Sequence, residues 1–283
     1  MTTYAIVNAD DFGINSGINR GIVEAHCRGI VTSASLMPTG DAFDEAVALA
    51  HQHRGLSLGV HLTLVEGSPV LPAEEIPSLV TAEGGFIKTP WGFLQRWSMG
   101  HIHLAEVQQE LEAQVAKVAA RGIRIDKLDS HMHLHLLPGI FQTVVDLGRK
   151  HRIRGLRLPR GEFRWHDLGS MAGAAKQVIL RGLAFLQARR VTAARLFTPD
   201  ALSGIPQSGQ MTERLLLRTL SALKPGVTEI MVHPGYHDGA MEGWPLSRRY
   251  SRENELMGLT SPRVKELVKR QQIKLVSYRT VCL

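Results

Sequence analysis

Short apolar runs typical of β-strands alternate with helical patterns along almost the whole chain. The strand candidates are residues 4–9, 33–37, 56–64, 125–131, 155–158, 229–233 and 274–278, and the helix candidates are 17–28, 41–53, 104–121, 138–151, 171–190, 212–223 and 262–271. Repeated strand–helix units predict a parallel sheet with right-handed crossovers. This many units favours a closed or nearly closed (β/α) barrel.

We expect a single domain over residues 1–283, because a hydrophobic content of 44% is ample for one large core. Two segments interrupt the alternation: residues 66–99, rich in Pro, Gly and Trp, and residues 160–210, which include a basic helix. Loops longer than about 15 residues are usually functional or disordered. We therefore interpret both segments as excursions around the mouth of the barrel.

Charge and cysteine content narrow the class of protein. Lys and Arg number 33 against 26 Asp and Glu, but the basic residues are too scattered to indicate nucleic-acid binding. The two cysteines, Cys27 and Cys282, lack the spacing of a disulfide framework or a zinc knuckle. No basic-then-apolar leader and no stretch of about 18 uncharged apolar residues appears. These features predict a soluble, unprocessed protein in a reducing cytoplasm.

Acids and imidazoles follow four of the strand candidates. Asp10 and Asp11 follow the first strand in "NADDFG", and "GVHLTL" after the third places His61. "DSHMHLH" follows the fourth, and "MVHPGYHD" after a late strand places His233. Because the carboxyl ends of barrel strands form one rim, these side chains should gather in one site. Taken singly, each has a plainer alternative: a hydrogen-bonded core or turn histidine for His61 and His233, and a solvated helix-capping turn for the Asp pair.

The run "DSHMHLH" carries the strongest local pattern. If it continues a strand, alternation with period two places Asp129, His131, His133 and His135 on one face and Ser130, Met132 and Leu134 on the other. Three imidazoles on one face call for a metal, an anion or solvent.

Metal binding would explain the adjacent carboxylates, which repel each other and are costly to bury. A divalent cation on Asp11 would neutralise its charge and leave Asp10 free beside it. Two histidines plus one carboxylate keep positions open for water and substrate. The pattern predicts metal-assisted hydrolysis with Asp10 as base and His233 as acid, since an unperturbed imidazole pKa lies near neutrality.

At these residues the sequence resembles the YdjC-like family of carbohydrate deacetylases, which includes chitooligosaccharide deacetylases. The motifs are "NADDFG", "GVHLTL", "DSHMHLH", "VHPGYHD" and the later "SRRYSRENELMGL", running from residue 8 to about residue 259. The resemblance implies an α/β fold: a TIM-like or incomplete, seven-stranded (β/α) barrel of the glycoside hydrolase/deacetylase type. It also implies removal of acetyl from N-acetylated amino sugars.

The resemblance assigns roles to individual residues. It implies Asp11, His61 and His131 as ligands of one divalent metal ion, Asp10 as the base, His233 as the acid, and Arg252 and Glu255 as substrate-binding residues. The family implies magnesium, whereas a site with two imidazoles suits zinc or a similar ion equally well.

A narrower resemblance lies in "LVEGSPVLP", which is similar to the family branch associated with hopanoid biosynthesis and implies an N-acetylglucosaminyl lipid as substrate. Helix 171–190 has an apolar face (Val178, Ile179, Leu183, Leu186) and four basic residues (Lys176, Arg181, Arg189, Arg190). In one interpretation the helix contacts lipid at the inner membrane surface. In the other it packs on the barrel and its basic side is solvated. His133, Arg160 and Asp200 are further candidates for substrate contact at the rim. The expected partner is a small amino sugar or glycolipid, and a homodimer stays open.

Two other functions remain alternatives. A metal-dependent phosphoesterase or amidohydrolase also uses barrels with histidine clusters, but those enzymes usually carry an HxH motif at the first strand, where this chain has Asp10-Asp11. A non-catalytic sugar- or lipid-binding protein would keep the metal site as structure.

Overall fold

Parallel strands alternate with helices along the chain. The computed structural model describes residues 2–161, 171–238, 241 and 243–282. Within them the strands are β1 (Thr3–Phe12), β2 (Ser33–Leu36), β3 (Ser57–Leu62), β4 (Lys127–Ser130), β5 (Gly155–Leu156), β6 (Ala201–Ser203), β7 (Gly226–Val232) and β8 (Lys274–Leu275). The helices are α1 (Ser16–Cys27), α2 (Phe43–Gln52), α3 (Pro90–Ser98), α4 (Leu104–Ala119), α5 (Ile140–Lys150), α6 (Met171–Ala194), α7 (Glu213–Ser221), α8 (Arg252–Thr260), α9 (Pro262–Arg270) and α10 (Tyr278–Val281). Short 3-10 helices cover Ala73–Glu75, His131–Leu136 and Ser247–Arg249.

The strands form one parallel sheet with β1 near its centre. Its order is β5-β4-β3-β2-β1-β7-β6, and β8 pairs with the start of β1. Backbone hydrogen bonds join the two ends of this path: Leu156 N donates to Phe197 O (2.9 Å) and Leu202 N donates to Arg160 O (3.0 Å). With seven strands along this path instead of the eight of a complete barrel, the sheet is an incomplete (β/α) barrel, which confirms the predicted fold class.

The core lies between this sheet and the helices around it. All residues of β1 from Ala5 to Phe12 are buried, as expected for a central parallel strand covered on both faces. Helix α1 buries Ile18, Ile22 and Ala25 against the core. At Gly21, a Cβ would lie 2.4 Å from the Gly235 Cα, so glycine lets α1 approach the loop that follows β7.

The two excursions contain regular elements that the sequence pattern did not predict. Helix α3 lies in 66–99, and the bridges Val65–Ile87 and Val80–Phe86 fold this segment back on itself. Strand β6 lies in 160–210 and has only three residues, too few for a periodic signal. Residues 162–170 of that segment lie outside the described part of the chain.

The predicted strand 125–131 is wrong at its end, and so is the alternation assigned to "DSHMHLH". Strand β4 stops at Ser130, and a 3-10 helix follows in which Met132 and His133 have φ angles of 55° and 60°. Ser130 Oγ accepts from the His135 backbone N–H (2.9 Å), and this bond holds the turn. The four polar side chains therefore do not share one strand face.

Helix α6 packs on the barrel through Leu180, Ala184 and Val191, which are buried. Val178 and Ile179 of the predicted apolar face are 56% and 63% exposed, so the outward side of α6 is apolar and not simply basic. Among the described residues, no helix combines the length and hydropathy that crossing a membrane requires.

Candidate metal centre and active site

The carboxyl ends of β1, β3, β4 and β7 bring the polar motifs to one place. Asp11 and His61 stand at the ends of β1 and β3, and His131 and His233 directly follow β4 and β7. Asp10, His61, His131 and His233 line one cavity of about 20 Å³, close to the volume that one water molecule needs. The structure thus brings together side chains that lie more than 200 residues apart in the chain.

Three buried side chains form a set that could hold a metal ion. Asp11 Oδ1 lies 3.8 Å from His61 Nε2 and 3.6 Å from His131 Nδ1, and the three ligand atoms all lie within 4.8 Å of one another. Two donors on one zinc ion, each at about 2.0–2.2 Å, are separated by about 3–3.5 Å. The distances of 3.8 and 3.6 Å from Asp11 Oδ1 to the two imidazoles are close to that spacing.

The far side of each imidazole faces a carboxylate. His61 Nδ1 lies 2.8 Å from Asp129 Oδ1, and His131 Nε2 lies 2.8 Å from Glu66 Oε2. When the outer nitrogen donates its proton to a carboxylate, the inner nitrogen keeps its lone pair toward Asp11. Orientation of histidine ligands by carboxylates is typical of metal sites, so these residues fit a divalent cation.

The electrostatics of His131 also suit a cation. Burial opposes protonation, but the hydrogen bonds and negative charges of Asp11 and Glu66 outweigh it and raise the pKa of His131 to about 9. The negative charges of the two carboxylates stabilise a protonated His131 ring, and the same charges would stabilise a metal cation bound beside it.

Asp11 reaches the site through a backbone irregularity. The β1–β2 register shifts between Ala9 and Phe12, and Asp11 has a φ of 72°. Bulges next to active sites re-aim side chains, and this one separates the two adjacent carboxylates. Arg252 donates to Asp11 Oδ2 (2.6 Å). Burial raises the pKa of Asp11, but Arg252 and His131 outweigh burial and hold it well below its usual value.

Asp10 points to a different partner. Arg157 donates to both of its oxygens at 2.7 Å, and Asn8 Nδ2 donates to Oδ1 at 2.7 Å. Burial raises the pKa of Asp10, but the charge and hydrogen bonds of Arg157 outweigh it, so the pKa lies below its usual value. Asp10 is therefore ionised at neutral pH, the state that a general base requires.

A second group of potential ligands, Asp10, His61 and Asp129, is less suited to a metal. Asp129 forms an ion pair with Lys127 and lies 3.0 Å from Arg157 Nη1. The same guanidinium also forms an ion pair with Asp10. Arg157 thus binds both of these carboxylates, whereas Arg252 meets Asp11 at Oδ2 and leaves Asp11 Oδ1 facing the imidazoles of His61 and His131.

His233 lies at the cavity with an unsatisfied ring nitrogen. Its Nδ1 is buried and has no hydrogen-bond partner in the described part of the chain, and its backbone N–H donates to Glu255 Oε2 (2.5 Å). Burial, despite the opposing charges of Asp11 and Asp10, lowers the pKa of His233 to about 4. The sequence argument from an ordinary imidazole pKa is therefore wrong in this environment: the ring is neutral near pH 7 and can accept a proton at Nδ1.

The remaining candidates fall into two groups. His133 lines the same cavity as the metal set, while Arg252 and Glu255 are buried beside it, with Glu255 holding the backbone of His233 and Met211. Burial raises the pKa of Glu255 to about 7. Neither Arg252 nor Glu255 is among the described residues that line this cavity, and their contact with substrate stays a prediction.

Arg160 and Asp200 are not brought to this rim. Both line a separate cavity of about 220 Å³ beside α6 and β6. Asp200 precedes β6 and accepts from the Val227 N–H (2.8 Å) near the start of β7, at the opposite end of the sheet from His233. The expectation that Asp200 touches substrate at the rim is therefore wrong, because the short β6 had not been recognised.

His135 also departs from expectation, because protein groups satisfy its ring. Nδ1 lies 2.7 Å from Ser130 Oγ, and Nε2 lies 3.0 Å from Arg157 O. Burial lowers the pKa of His135 to about 4. It is a structural residue of the 3-10 turn.

Sequence reasoning missed the charged residues that surround the site. Arg157, Lys127 and Glu229 are completely buried, and Glu229 accepts from Arg157 Nε (2.9 Å) and from Tyr278 OH (2.6 Å). The available signal was a charged residue inside a strand: Lys127 in "KLDS" of β4 and Glu229 in the largely apolar "GVTEIMV" of β7. Glu66 stood in a segment interpreted as a loop and gave no such signal.

Comparisons with known proteins agree with this architecture. A family model described as YdjC-like protein matches residues 4–270. A carbohydrate deacetylase of Brevibacillus brevis is 34% identical over 96% of this chain and 97% of its own length. A chitooligosaccharide deacetylase of Enterobacter sp. is 31% identical over 98% of this chain and 99% of its own. A crystal structure of an Enterococcus faecalis V583 protein, described as a proposed cellobiose-phosphate cleavage protein, aligns over 100% of both chains with 29% identity and a TM-score of 0.75.

Proposed function

Because this chain belongs to the YdjC-like family, we propose that it is a metal-dependent carbohydrate deacetylase that hydrolyses the acetamido group of an N-acetylated amino sugar. One observation carries the proposal: Asp11, His61 and His131 converge within 4.8 Å beside a cavity that Asp10 and His233 also line. The names of the relatives at 34% and 31% identity support the same chemistry.

Asp11, His61 and His131 would hold the cation. A divalent ion there would supply Lewis acidity, which polarises a carbonyl oxygen and makes water more acidic. Two nitrogen donors and one oxygen donor suit zinc or a similar transition ion at least as well as magnesium.

Asp10 is proposed as the general base. Its carboxylate is ionised and fixed by Arg157. Oδ1 accepts from Asn8, Ser35 and Arg157, whereas Oδ2 accepts from Arg157 Nη1, so a second lone pair on Oδ2 can take a proton from a water molecule in the cavity. Fixing the base in advance removes the need to reorganise it during the reaction.

His233 is proposed to deliver a proton to the leaving amine. Its neutral ring has a nitrogen without a hydrogen-bond partner among the described residues, so it can take up the proton that Asp10 removes from water and then donate it to the leaving amine. Glu255 accepts from the His233 backbone N–H and so helps to fix the position of this residue beside the cavity.

The test measures the loss of an acetyl group from candidate substrates by mass spectrometry. Metal-loaded protein is incubated with N-acetylglucosamine oligomers, with an N-acetylglucosaminyl lipid and with a panel of phosphoesters, and acetate and phosphate are measured. We expect acetate alone. Phosphate release would indicate a phosphoesterase, and binding by calorimetry without any product would indicate a non-catalytic sugar- or lipid-binding protein.

Asp10→Asn separates the chemistry from metal binding. The variant should keep its metal and lose about 10²- to 10⁴-fold in turnover, the typical contribution of a general base. Acetate release at the parent rate would show that Asp10 is not the base.

A lipid-linked substrate is a second candidate, favoured by the outward face of α6. Val178, Ile179, Phe185 and Leu186 are all more than half exposed there, and the exposed Arg189 and Arg190 follow them. An apolar face next to basic residues is typical of helices that lie on anionic membranes. Cosedimentation with anionic vesicles, lost in Phe185→Ser/Leu186→Ser, is the expected result; equal recovery of both proteins in the supernatant would exclude it.

A further inference from the structure

We propose that Glu66 is a positioning residue that orients His131 for metal binding and ties it to the loop at 243–247. The inference rests on the metal site of the proposed function. Glu66 lies at the start of the first excursion, and its side chain is completely buried.

The Glu66 carboxylate spans two partners. Oε2 lies 2.8 Å from His131 Nε2, and Oε1 accepts from the Leu246 N–H at 2.7 Å. A single side chain thus joins the imidazole expected to bind the metal to the backbone amide of Leu246, which lies 180 residues after Glu66 in the chain.

The backbone at Glu66 is held in an unfavourable conformation. Its φ is 61°, in the left-handed region, which residues other than glycine rarely adopt. Two hydrogen bonds hold this conformation: Glu66 N donates to Ile87 O (3.1 Å), and Gly67 N donates to Gly243 O (3.0 Å). The surrounding segments therefore determine where the carboxylate points.

The loop also contacts His131 directly. The Trp244 ring is buried and meets the His131 ring edge-on, with 5.8 Å between centroids. A Cβ at Gly67 would lie 2.5 Å from the Trp244 ring, so only glycine allows this approach. His131 is thus held by Glu66 on one atom and by Trp244 on its ring, and the same loop engages both.

The consequence concerns the tautomer and orientation of His131. With Nε2–H donated to Glu66, Nδ1 is the nitrogen that faces Asp11, and a cation bound there would take the place of the proton on Nδ1. In Glu66→Gln the amide has one acceptor oxygen and cannot accept from both His131 and Leu246. Loss of such an outer carboxylate typically lowers metal affinity by about 10- to 100-fold.

The test measures zinc binding without any turnover. Metal-free parent, Glu66→Gln and Glu110→Gln are titrated with Zn²⁺ by calorimetry, and the visible spectrum of each is recorded with Co²⁺. Glu110 is a matched control: it is also buried and accepts from the Val70 and Leu71 N–H groups of the same excursion, without touching His131. We expect weaker zinc binding and an altered cobalt spectrum for Glu66→Gln, and parent values for Glu110→Gln.

Hydrogen exchange at the Leu246 amide tests the link to the loop. Zinc should slow this exchange in the parent and leave it unchanged in Glu66→Gln. If Glu66→Gln does not fold, Glu66→Asp replaces it, since the shorter side chain keeps the charge but cannot reach both partners.

The outcomes separate this inference from the proposed function. Parent-like zinc affinity in Glu66→Gln would overturn the positioning role alone, and so would equal weakening in Glu110→Gln, which would indicate general loosening of the excursion. A parent protein that binds no metal would overturn the metal site itself.

Discussion

Replacing Arg157 with Met should destabilise the fold by stranding buried carboxylates. The Arg157 side chain is completely buried, donates to both oxygens of Asp10 and to Glu229 Oε1, and lies 3.0 Å from Asp129. Burial opposes its charge, but these three carboxylates outweigh burial and hold the pKa of Arg157 well above its usual value. Met has a similar length and packs in the same space, but it leaves the carboxylates without the cation that they share.

The size of the effect follows from burial. Removing one partner of a buried ion pair costs about 3–5 kcal/mol. With an unfolding entropy of about 2.1 cal/mol/K per residue, a chain of 283 residues has about 0.6 kcal/mol/K, so the Tm should fall by about 5–8 °C.

Calorimetry at pH 7 on chelator-treated protein measures this difference without a contribution from bound metal. Arg263→Met is the control, because Arg263 is exposed and its pair with Glu213 (3.4 Å) should contribute less than about 1 kcal/mol. Adding Glu229→Gln to Arg157→Met should recover part of the loss by removing one stranded charge. A Tm for Arg157→Met within about 2 °C of the parent would refute the reasoning, since 3 kcal/mol could not then be at stake.

Three further predictions concern the site and its support. His233→Ala should lower turnover by about 10²- to 10⁴-fold while zinc affinity measured by calorimetry stays at the parent value; an unchanged rate would remove His233 as the acid. Dialysis against a chelator should abolish acetate release and added zinc should restore it, whereas full activity in protein shown to be metal-free by mass spectrometry would contradict the metal mechanism. Burial lowers the pKa of His135 to about 4, from an unfolded value of about 6.5. The folded state therefore favours the neutral ring, and the resulting stability is fully present above pH 6.5. This contribution, on the order of 3 kcal/mol, is lost as the pH falls from 6.5 to 4. His135→Gln, which keeps a donor for Arg157 O, should therefore lose less stability over that interval in urea unfolding curves, and identical losses would contradict the assigned burial effect.

The alternation of strand and helix patterns predicted the barrel, and the structure confirms it. This success has a local cause: period-two and period-3.6 patterns report which residues face the core, and repeated parallel units have few arrangements. Strand β6 escaped prediction because three residues carry no period. With β6 unrecognised, Asp200 could not be assigned to the end of the sheet where it lies.

The convergence of Asp11, His61 and His131 could be predicted because strand ends in a barrel meet at one rim. The turn at His131 could not, since a left-handed φ at Met132 and His133 contradicts the alternation of their side chains. Contacts with Glu66 were also beyond reach, because that residue lies in an irregular excursion.

The order of residue types along the chain by itself determined the barrel, the edge where its chemistry lies, and the acids and imidazoles available there. Only the tertiary structure decided which carboxylate each imidazole and guanidinium faces: Arg157 meets Asp10 across 147 residues, and Leu246 meets Glu66 across 180. Local periodicity reports the face of a strand or helix on which a side chain lies. The choice of ionic partner depends on distances of about 3 Å between groups far apart in the chain, and packing of the complete barrel sets those distances.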